Sequence, residues 1–259
     1  MTDWTDPETF AAALDRADTR EKGHCFEDFA EGDVIDHAPG LRLTRHGNDA
    51  WMAQTLNHDP AYWRRDAARA RGFDEPPIHP DYLLAAVMGP SVEDLSEKGG
   101  YFLGRDAVRF HTHEVVPGTE LRVESTVQAT RESSSRPDYG IVTWETRGRD
   151  GDGDTLVSYE RTNMIPRREP IASDGGRSES ADDDPSSELP ETLVTPAGDA
   201  FEDFRRALDR AADRDAAVAY RHERGRTMDD FTVAALPLAT LNTARQHHNA
   251  AAMADSPSG

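Results

Sequence analysis

The sequence predicts an α+β fold in which an antiparallel sheet wraps around one central helix, present once in full and begun a second time. Three observations carry this expectation. The run DYLLAAVMGPSVEDL (81–95) has helical length and holds no charge between Asp81 and Glu93, which suits a buried helix. Four later segments alternate polar and apolar residues and are separated by turn chemistry. The chain also matches itself at an offset of 185 residues, the separation of Asn57 and Asn242.

Taken in order, PETFAAALDRADTREK (7–22) predicts a short amphipathic helix with Phe10 and Leu14 on one side. FEDFAEGD (26–33) punctuates the approach to a strand around Leu41–Thr44. NDAWMAQTLNHDPAYWRRDAARARGF (48–73) predicts two short helices broken at Asp59-Pro60, because a proline ring cannot continue the first. The central helix follows PPIHP (76–80). Then GRDAVRFHTHEVV (104–116), TELRVESTVQATRE (119–132), GIVTWETRGR (140–149) and TLVSYERTNMI (155–165) read as strands. Between them PG, RPDYG and DGDGD favour turns. One helix followed by antiparallel strands is an α+β layer arrangement, and a sheet wrapped around the helix buries both.

These elements make one complete domain at 24–168 behind an N-terminal helical extension, 1–23. Residues 169–200 are dominated by Ser, Asp, Glu, Pro and Gly, so they predict a disordered acidic linker. FEDFRRALDRAADRDAAVAYRHER (201–224) predicts a charged helical stretch that opens a second region, 201–259.

Composition narrows the function class. Acidic residues number 49 against 29 basic ones, for a net charge of -20, and Lys22 and Lys98 are the only lysines. Nucleic acid and anionic membranes both require a positive footprint, so neither is expected as a partner. An acidic interaction surface fits the charge; adaptation of the whole surface to molar salt fits better, because the acidity is spread over every segment. Cys25 is the only cysteine, so no intrachain disulfide forms. MTDWTDPETF has no apolar core of a signal peptide, and no stretch approaches 18 apolar residues. A soluble, cytoplasmic protein is expected.

The self-match has consequences. His37 meets His222, Gly40 meets Gly225, Ala50 meets Ala235, Leu56 meets Leu241, Asn57 meets Asn242, and Tyr62 meets His247. FEDF also recurs, at 26–29 and 201–204, though at another offset. The second copy then reaches the equivalent of Asp74, with opening helices but no central helix or sheet. The region beyond 200 is therefore expected to be poorly packed.

FEDFAEGD, the helix after a Pro-rich turn, and RFHTHEVVPGTELRVESTVQATRES (109–133) together resemble the MaoC-like hydratase family. VEDLS (92–96), the series LGRDAVRF, VPGTEL, ESSSR (103–136) and NTARQHHN (242–249) are similar to its mesaconyl-CoA hydratase branch. The resemblance covers about 24–168 and 220–259. It implies a hot-dog fold, doubled, acting on a CoA thioester. The expected reaction is reversible hydration of mesaconyl-CoA to β-methylmalyl-CoA. The alternatives are another enoyl-CoA hydratase of the same fold, or a non-catalytic acyl-CoA-binding subunit. No cofactor is implied beyond the coenzyme A of the substrate, and a homodimer is expected.

The family pattern places an Asp and a His five residues apart, gripping a water. Asn57 and Tyr62 stand there in the first copy, Asn242 and His247 in the second. The resemblance therefore implies His247 as catalytic base, with Asn242 orienting water or imidazole. The first copy has no titratable base at these places, and its central helix begins IHPDY, where Pro80 has no N–H to donate. It reads as a degenerate half whose Asn57, Tyr62, His79 and Asp81 shape the substrate pocket. Imidazole titrates near working pH, as a base for water addition must. The bland reading makes Asn242 and His247 ordinary polar residues of a helix face. Arg131, Ser133, Ser135 and Arg136 lie at a strand end, where they meet CoA phosphates or form a solvated turn. His247 and His248 diverge by about 100° on a helix and cannot easily share an ion. His111 and His113 share a strand face, but no third ligand is evident, so no metal is expected.

Overall fold

The structure is a computed structural model that describes residues 5–16, 23–169, 193–194, 219–220 and 227–249. Side-chain caps mark most of its helix starts. Asp6 accepts from Thr9 N at 3.0 Å ahead of α1 (Pro7–Leu14). After strand β1 (Val34–Arg42), Thr44 accepts from Gly47 N at 3.0 Å and opens α2 (Arg45–Gln54). A short α3 (Arg65–Ala70) precedes α4 (Pro80–Ser96), which begins with Pro at its first position and His79 as cap.

Four long strands follow: β2 (Tyr101–Phe110), β3 (Glu120–Glu132), β4 (Tyr139–Arg149) and β5 (Thr155–Pro166). With β1 they form one antiparallel sheet in the order β1-β3-β4-β5-β2. The central helix α4 lies across it, as expected. Tyr82, Leu83, Ala86 and Val87 join Leu121, Val123, Val157 and Tyr159 in one core cluster; Leu95 joins Phe29, Val127, Val142, Trp144 and Ile165 in the other. Gly148 permits this approach, since a Cβ there would overlap the Val87 side chain and lie 3.1 Å from Leu121 Cδ1. Burying each large apolar side chain contributes roughly 1.5–3 kcal/mol.

Polar ties fix the helix on the sheet. His37 on β1 is 2.6 Å from Asp94 Oδ2 through Nδ1 and 2.8 Å from Ser125 Oγ through Nε2, and Ser125 lies 2.8 Å from Thr146 Oγ1. Buried Arg161 donates to Asn163 Oδ1 at 2.9 Å, Ser91 Oγ at 3.1 Å and Ser96 Oγ at 2.7 Å. Burial lowers its pKa from the ordinary arginine value. The C-terminal carbonyl dipoles of α4 favour a cation at this place.

Some sequence expectations shift. The N-terminal helix covers 7–14, and 17–22 lie outside the described residues. The first strand is Val34–Arg42, not Leu41–Thr44, because Thr44 is spent capping α2. The helix break comes before Asp59-Pro60: Leu56 turns left-handed at φ 58, and Pro60 instead starts a 3-10 turn, Pro60–Tyr62. Strand β2 starts at Tyr101 and ends at Phe110, so His111 and His113 leave the strand and share no strand face. His111 Nε2 lies 2.8 Å from Ser158 Oγ, while His113 stacks near Phe73 at 6.5 Å.

Most of 170–226 lies outside the described residues, including most of the expected linker and charged helix. Within it β6 (Leu193–Val194) pairs in parallel with β7 (Ala219–Tyr220), so 219–220 are strand and not helix. Helix α5 (Asp230–Ala239) then leads to a 3-10 turn at Arg245–His247. Packing here is uneven. Among the described residues beyond 226, Phe231 is 76% exposed while Thr232, Thr240 and Ala244 are buried; the rest of the region expected to be poorly packed lies mostly outside the described residues.

Candidate active site

The backbone around Asn242 repeats that around Asn57. Helix α5 corresponds residue for residue to α2 at the 185-residue offset, and the two 3-10 turns correspond likewise. Thr44 and Asp229 cap the helices from equivalent places, accepting at 3.0 Å from Gly47 N and 2.7 Å from Thr232 N. Each helix ends in a left-handed leucine, Leu56 at φ 58 and Leu241 at φ 62. Asn57 N then donates to Met52 O at 2.8 Å, and Asn242 N to Pro237 O at 2.9 Å. Each asparagine Oδ1 accepts the N–H two residues on, Asp59 N and Ala244 N, both at 3.1 Å. This Asx turn redirects the chain into the 3-10 turn ending at Tyr62 or His247. The local turn geometry is common to both copies.

What the side chains meet differs. In the first copy, Asn57, Tyr62, His79 and Asp81 come together at the N-terminus of α4. Asn57 Nδ2 lies 2.6 Å from His79 Nε2, its Oδ1 being taken by Asp59 N. Asp81 N donates to His79 Nδ1 at 3.2 Å, and the Asp81 carboxylate lies 3.9 Å from that nitrogen. Tyr62 meets the same imidazole edge-on at 4.6 Å. His79, 8% exposed, is held from behind by its backbone N–H, which donates to Asn48 Oδ1 at 2.7 Å. Burial pushes the imidazole below its usual value, against the pull of Asp81 and Asp59. Burial first and Asp59 second push the Tyr62 phenol up. A neutral imidazole accepts at one nitrogen only, and here both ring nitrogens face protein groups, Asn57 Nδ2 and Asp81 N.

In the second copy, His247 is half-buried, and burial followed by the charge of His248 holds it below the usual histidine value. An imidazole so held is neutral near pH 7 and able to accept a proton. Asn242 Oδ1 holds its own turn closed, which leaves Nδ2 as the donor group of that side chain. The arrangement offers one base and one amide donor.

Arg131, Ser133, Ser135 and Arg136 lie elsewhere. Arg136 stacks over Tyr101 at 5.0 Å and Tyr139 at 5.8 Å, and its N–H donates to Ser133 Oγ at 3.2 Å. Tyr101 follows the C-terminus of α4, so this loop and His79 stand at opposite ends of a helix about 25 Å long. Arg245 is at the loop's end of α4, where its Nε donates to Glu97 Oε1 at 3.2 Å. Sequence reasoning missed Asn48 and the Arg136–tyrosine stack. Asn48 meets His79 across 31 residues, and Arg136 meets Tyr101 from a distant strand, so neither of these contacts leaves a local signal, although Tyr139 is near Arg136 in sequence. A groove of about 460 Å³ on the sheet, lined by Arg109, His111, Glu145, Arg147, Ser158 and Glu160 among others, contains none of the candidate residues. Among the described residues no group of three or more His, Cys, Asp or Glu is placed to hold a metal, and no helix is long and apolar enough to cross a membrane.

Comparison with known proteins adds to this geometry. A family model described as mesaconyl-CoA hydratase matches residues 3–259. The chain is 68% identical over 268 residues to the mesaconyl-CoA hydratase of Haloarcula marismortui, covering all of this chain and 74% of that protein. Among solved structures it is similar to a MaoC domain dehydratase from Chloroflexus aurantiacus, with TM-score 0.69 and 22% identity over 92% of this chain and 68% of that one. It is also similar to a Mycobacterium tuberculosis protein described as a double hotdog fold, with TM-score 0.58 and 22% identity over 88% of this chain and 69% of that one. These two likenesses bear on the fold, and they match the sheet-around-helix arrangement.

Proposed function

The chain belongs to the mesaconyl-CoA hydratase family, and on that premise we propose that it catalyses the reversible hydration of mesaconyl-CoA to β-methylmalyl-CoA. One observation carries the assignment of roles: the turn is built twice, and its first copy ends in Tyr62 while its second ends in a histidine, His247. Neutral His247 takes a proton from water while the water oxygen bonds to the β-carbon, and the electron pair of the double bond moves onto the thioester as an enolate. The imidazolium then returns a proton to the α-carbon. One water is added, and the base is regenerated. Asn242 holds the attacking water or the imidazole through its amide N–H. Because one group delivers and retrieves the proton, addition takes place on one face.

Asn57, Tyr62, His79 and Asp81 of the first copy shape the pocket, and Arg131, Ser133 and Arg136 meet the phosphates of coenzyme A. The N-terminus of α4 is not free to polarise the thioester, since Pro80 has no N–H and Asp81 N is engaged by its own cap. No cofactor is needed beyond the coenzyme A that the substrate carries. The same reading makes the protein a cytoplasmic homodimer adapted to molar salt. Strand β2 ends the sheet with Phe102, Leu103, Val108 and Phe110 exposed, and it is the edge through which copies pair.

The test is the loss of enoyl-thioester absorbance of mesaconyl-CoA in molar KCl, with the parent chain and His247→Ala. The expected outcome is hydration by the parent and a loss of about 10²–10⁴ in kcat for the variant. A variant as fast as the parent refutes the role of His247. A parent that binds mesaconyl-CoA and crotonyl-CoA but hydrates neither favours the acyl-CoA-binding reading.

A further inference from the structure

The second-copy turn does not stand alone: it rests on the central helix of the first copy at two points. The first is Gly89, in the middle of α4. A Cβ built there overlaps the carbonyl oxygen of Thr240, lies 2.6 Å from the carbonyl carbon of Thr240, and lies 3.1 Å from Asn242 N. All three are backbone atoms. None has a rotamer to escape by, so any side chain at 89 must push the turn away or bend the helix. Thr240 is 3% exposed, which agrees with contact this close. The second point is Glu97, just past the end of α4. Its side chain is 5% exposed and accepts from Arg245 Nε at 3.2 Å. These two points flank the turn, with Asn242 between them and His247 two residues beyond the second.

We propose that Gly89 and Glu97 form a seat that positions Asn242 and His247, so that the first copy supplies the platform for the chemistry of the second. Gly89 is thus a positioning residue, acting through the backbone it admits. The proposal rests on the reading of His247 as catalytic base. It gives the degenerate copy a reason to keep its fold: its own turn has lost a base, but its helix carries the turn that retains one. The two turns use α4 differently. Asn57 grips the helix cap through a side chain, whereas the Asn242 turn lies on bare helix backbone.

The test reads position and catalysis separately, on the full chain in molar KCl. Gly89→Ala is compared with the parent by the ring proton resonances of His247 and the side-chain amide resonances of Asn242. It is also compared by kcat and KM for mesaconyl-CoA and by its melting temperature. The expected result is displaced His247 and Asn242 resonances with kcat lowered at least about tenfold and KM changed less than threefold, in a chain that still melts cooperatively. Resonances that coincide with the parent's overturn the seat. The catalytic reading fails independently, if His247→Ala hydrates as fast as the parent while the resonances of Gly89→Ala still move. Should Gly89→Ala not fold, a charge exchange decides. Arg245→Glu is expected to displace the same resonances, and Arg245→Glu with Glu97→Lys to return them. Anything short of that return overturns the seat.

Discussion

The turn at Thr44–Tyr62 and the turn at Asp229–His247 share a backbone and its local hydrogen bonds and differ in what their side chains meet beyond the turn. Both have a capped ten-residue helix, a left-handed leucine, an Asx turn and a 3-10 turn. In the first, the asparagine is spent on His79 and the terminal residue is a tyrosine packed on the same ring. In the second, the terminal residue is a half-buried histidine beside another histidine. Capping and turn residues set the path of the chain, and they survived duplication. Function lives in the few side chains that the path presents, and those diverged. A backbone can therefore testify to common origin while its side chains testify to different work.

Exchanging the terminal residues is the most severe way to break the comparison. His247→Tyr gives the second turn the residue of the first, and kcat for mesaconyl-CoA is expected to fall by about 10²–10⁴. Tyr62→His does the reverse, but it places a histidine against the buried His79 ring, whose nitrogens already face Asn57 and Asp81, so it is expected to add no measurable activity to His247→Tyr. Restored hydration in the double variant would show that the two turns are chemically equivalent, and that the contacts of His79 are not what silences the first.

Acidity sharpens the contrast by a smaller margin. His247 and His79 are both held below the usual histidine value, each chiefly by burial, with His248 adding to the effect at His247 and Asp81 and Asp59 opposing it at His79. A histidine held low binds its proton less tightly folded than unfolded, so the unfolded chain takes up more protons. Stability from both rings is present above the unfolded value of about 6.5 and is lost as pH falls through their lower folded values. Activity follows His247 alone. kcat/KM is expected to be flat around pH 7 and to fall about tenfold per unit on the acid side of an inflection below the usual histidine value. Replacing His248 with Gln removes the like charge and moves that inflection to higher pH. An inflection indifferent to His248, measured with Arg245 and Glu97 left intact, would argue against His247 as the titrating base.

Much of this was legible in the sequence, for physical reasons that differ from place to place. Strands β3, β4 and β5 and helix α4 were readable because alternation or a long apolar run marks them and their boundaries carry Gly, Pro and Asp. Strand β2, in contrast, was misplaced at both ends because Ala107 turns left-handed at φ 51 and the strand's register slips twice. Strand β1 was misplaced because VIDHAPGLR contains Pro39 and Gly40, which interrupt alternation within the strand itself. The offset linking Asn57 to Asn242 was readable from five identities, and the structure repeats it in caps, dihedrals and hydrogen bonds. The pairing of Asn57 with His79 was only half legible: both were candidates, but their spacing of 22 residues says nothing of contact. The seat at Gly89 was not legible at all. A glycine in a helix reads as a weak position until the chain that lies against it is known.

The gentlest test asks whether the two backbones are strained alike. Leu56 and Leu241 occupy the left-handed region at φ 58 and φ 62, a conformation that costs an ordinary L residue about 1–2 kcal/mol. Asparagine tolerates it better, because its short polar side chain bonds locally. Leu56 is 37% exposed, so Leu56→Asn loses little burial and is expected to raise stability by roughly 0.5 kcal/mol. Leu241 is more covered, and Leu241→Asn should gain less, since lost apolar contact offsets the relief. Melting curves of the two variants in molar KCl read the difference, a shift of no more than a few degrees. A gain at both sites, larger at 56, fits one turn built twice in different surroundings. A loss above about 1 kcal/mol at either site would mean that the leucine side chain anchors that turn, and that the shared dihedral has a different cause in each copy.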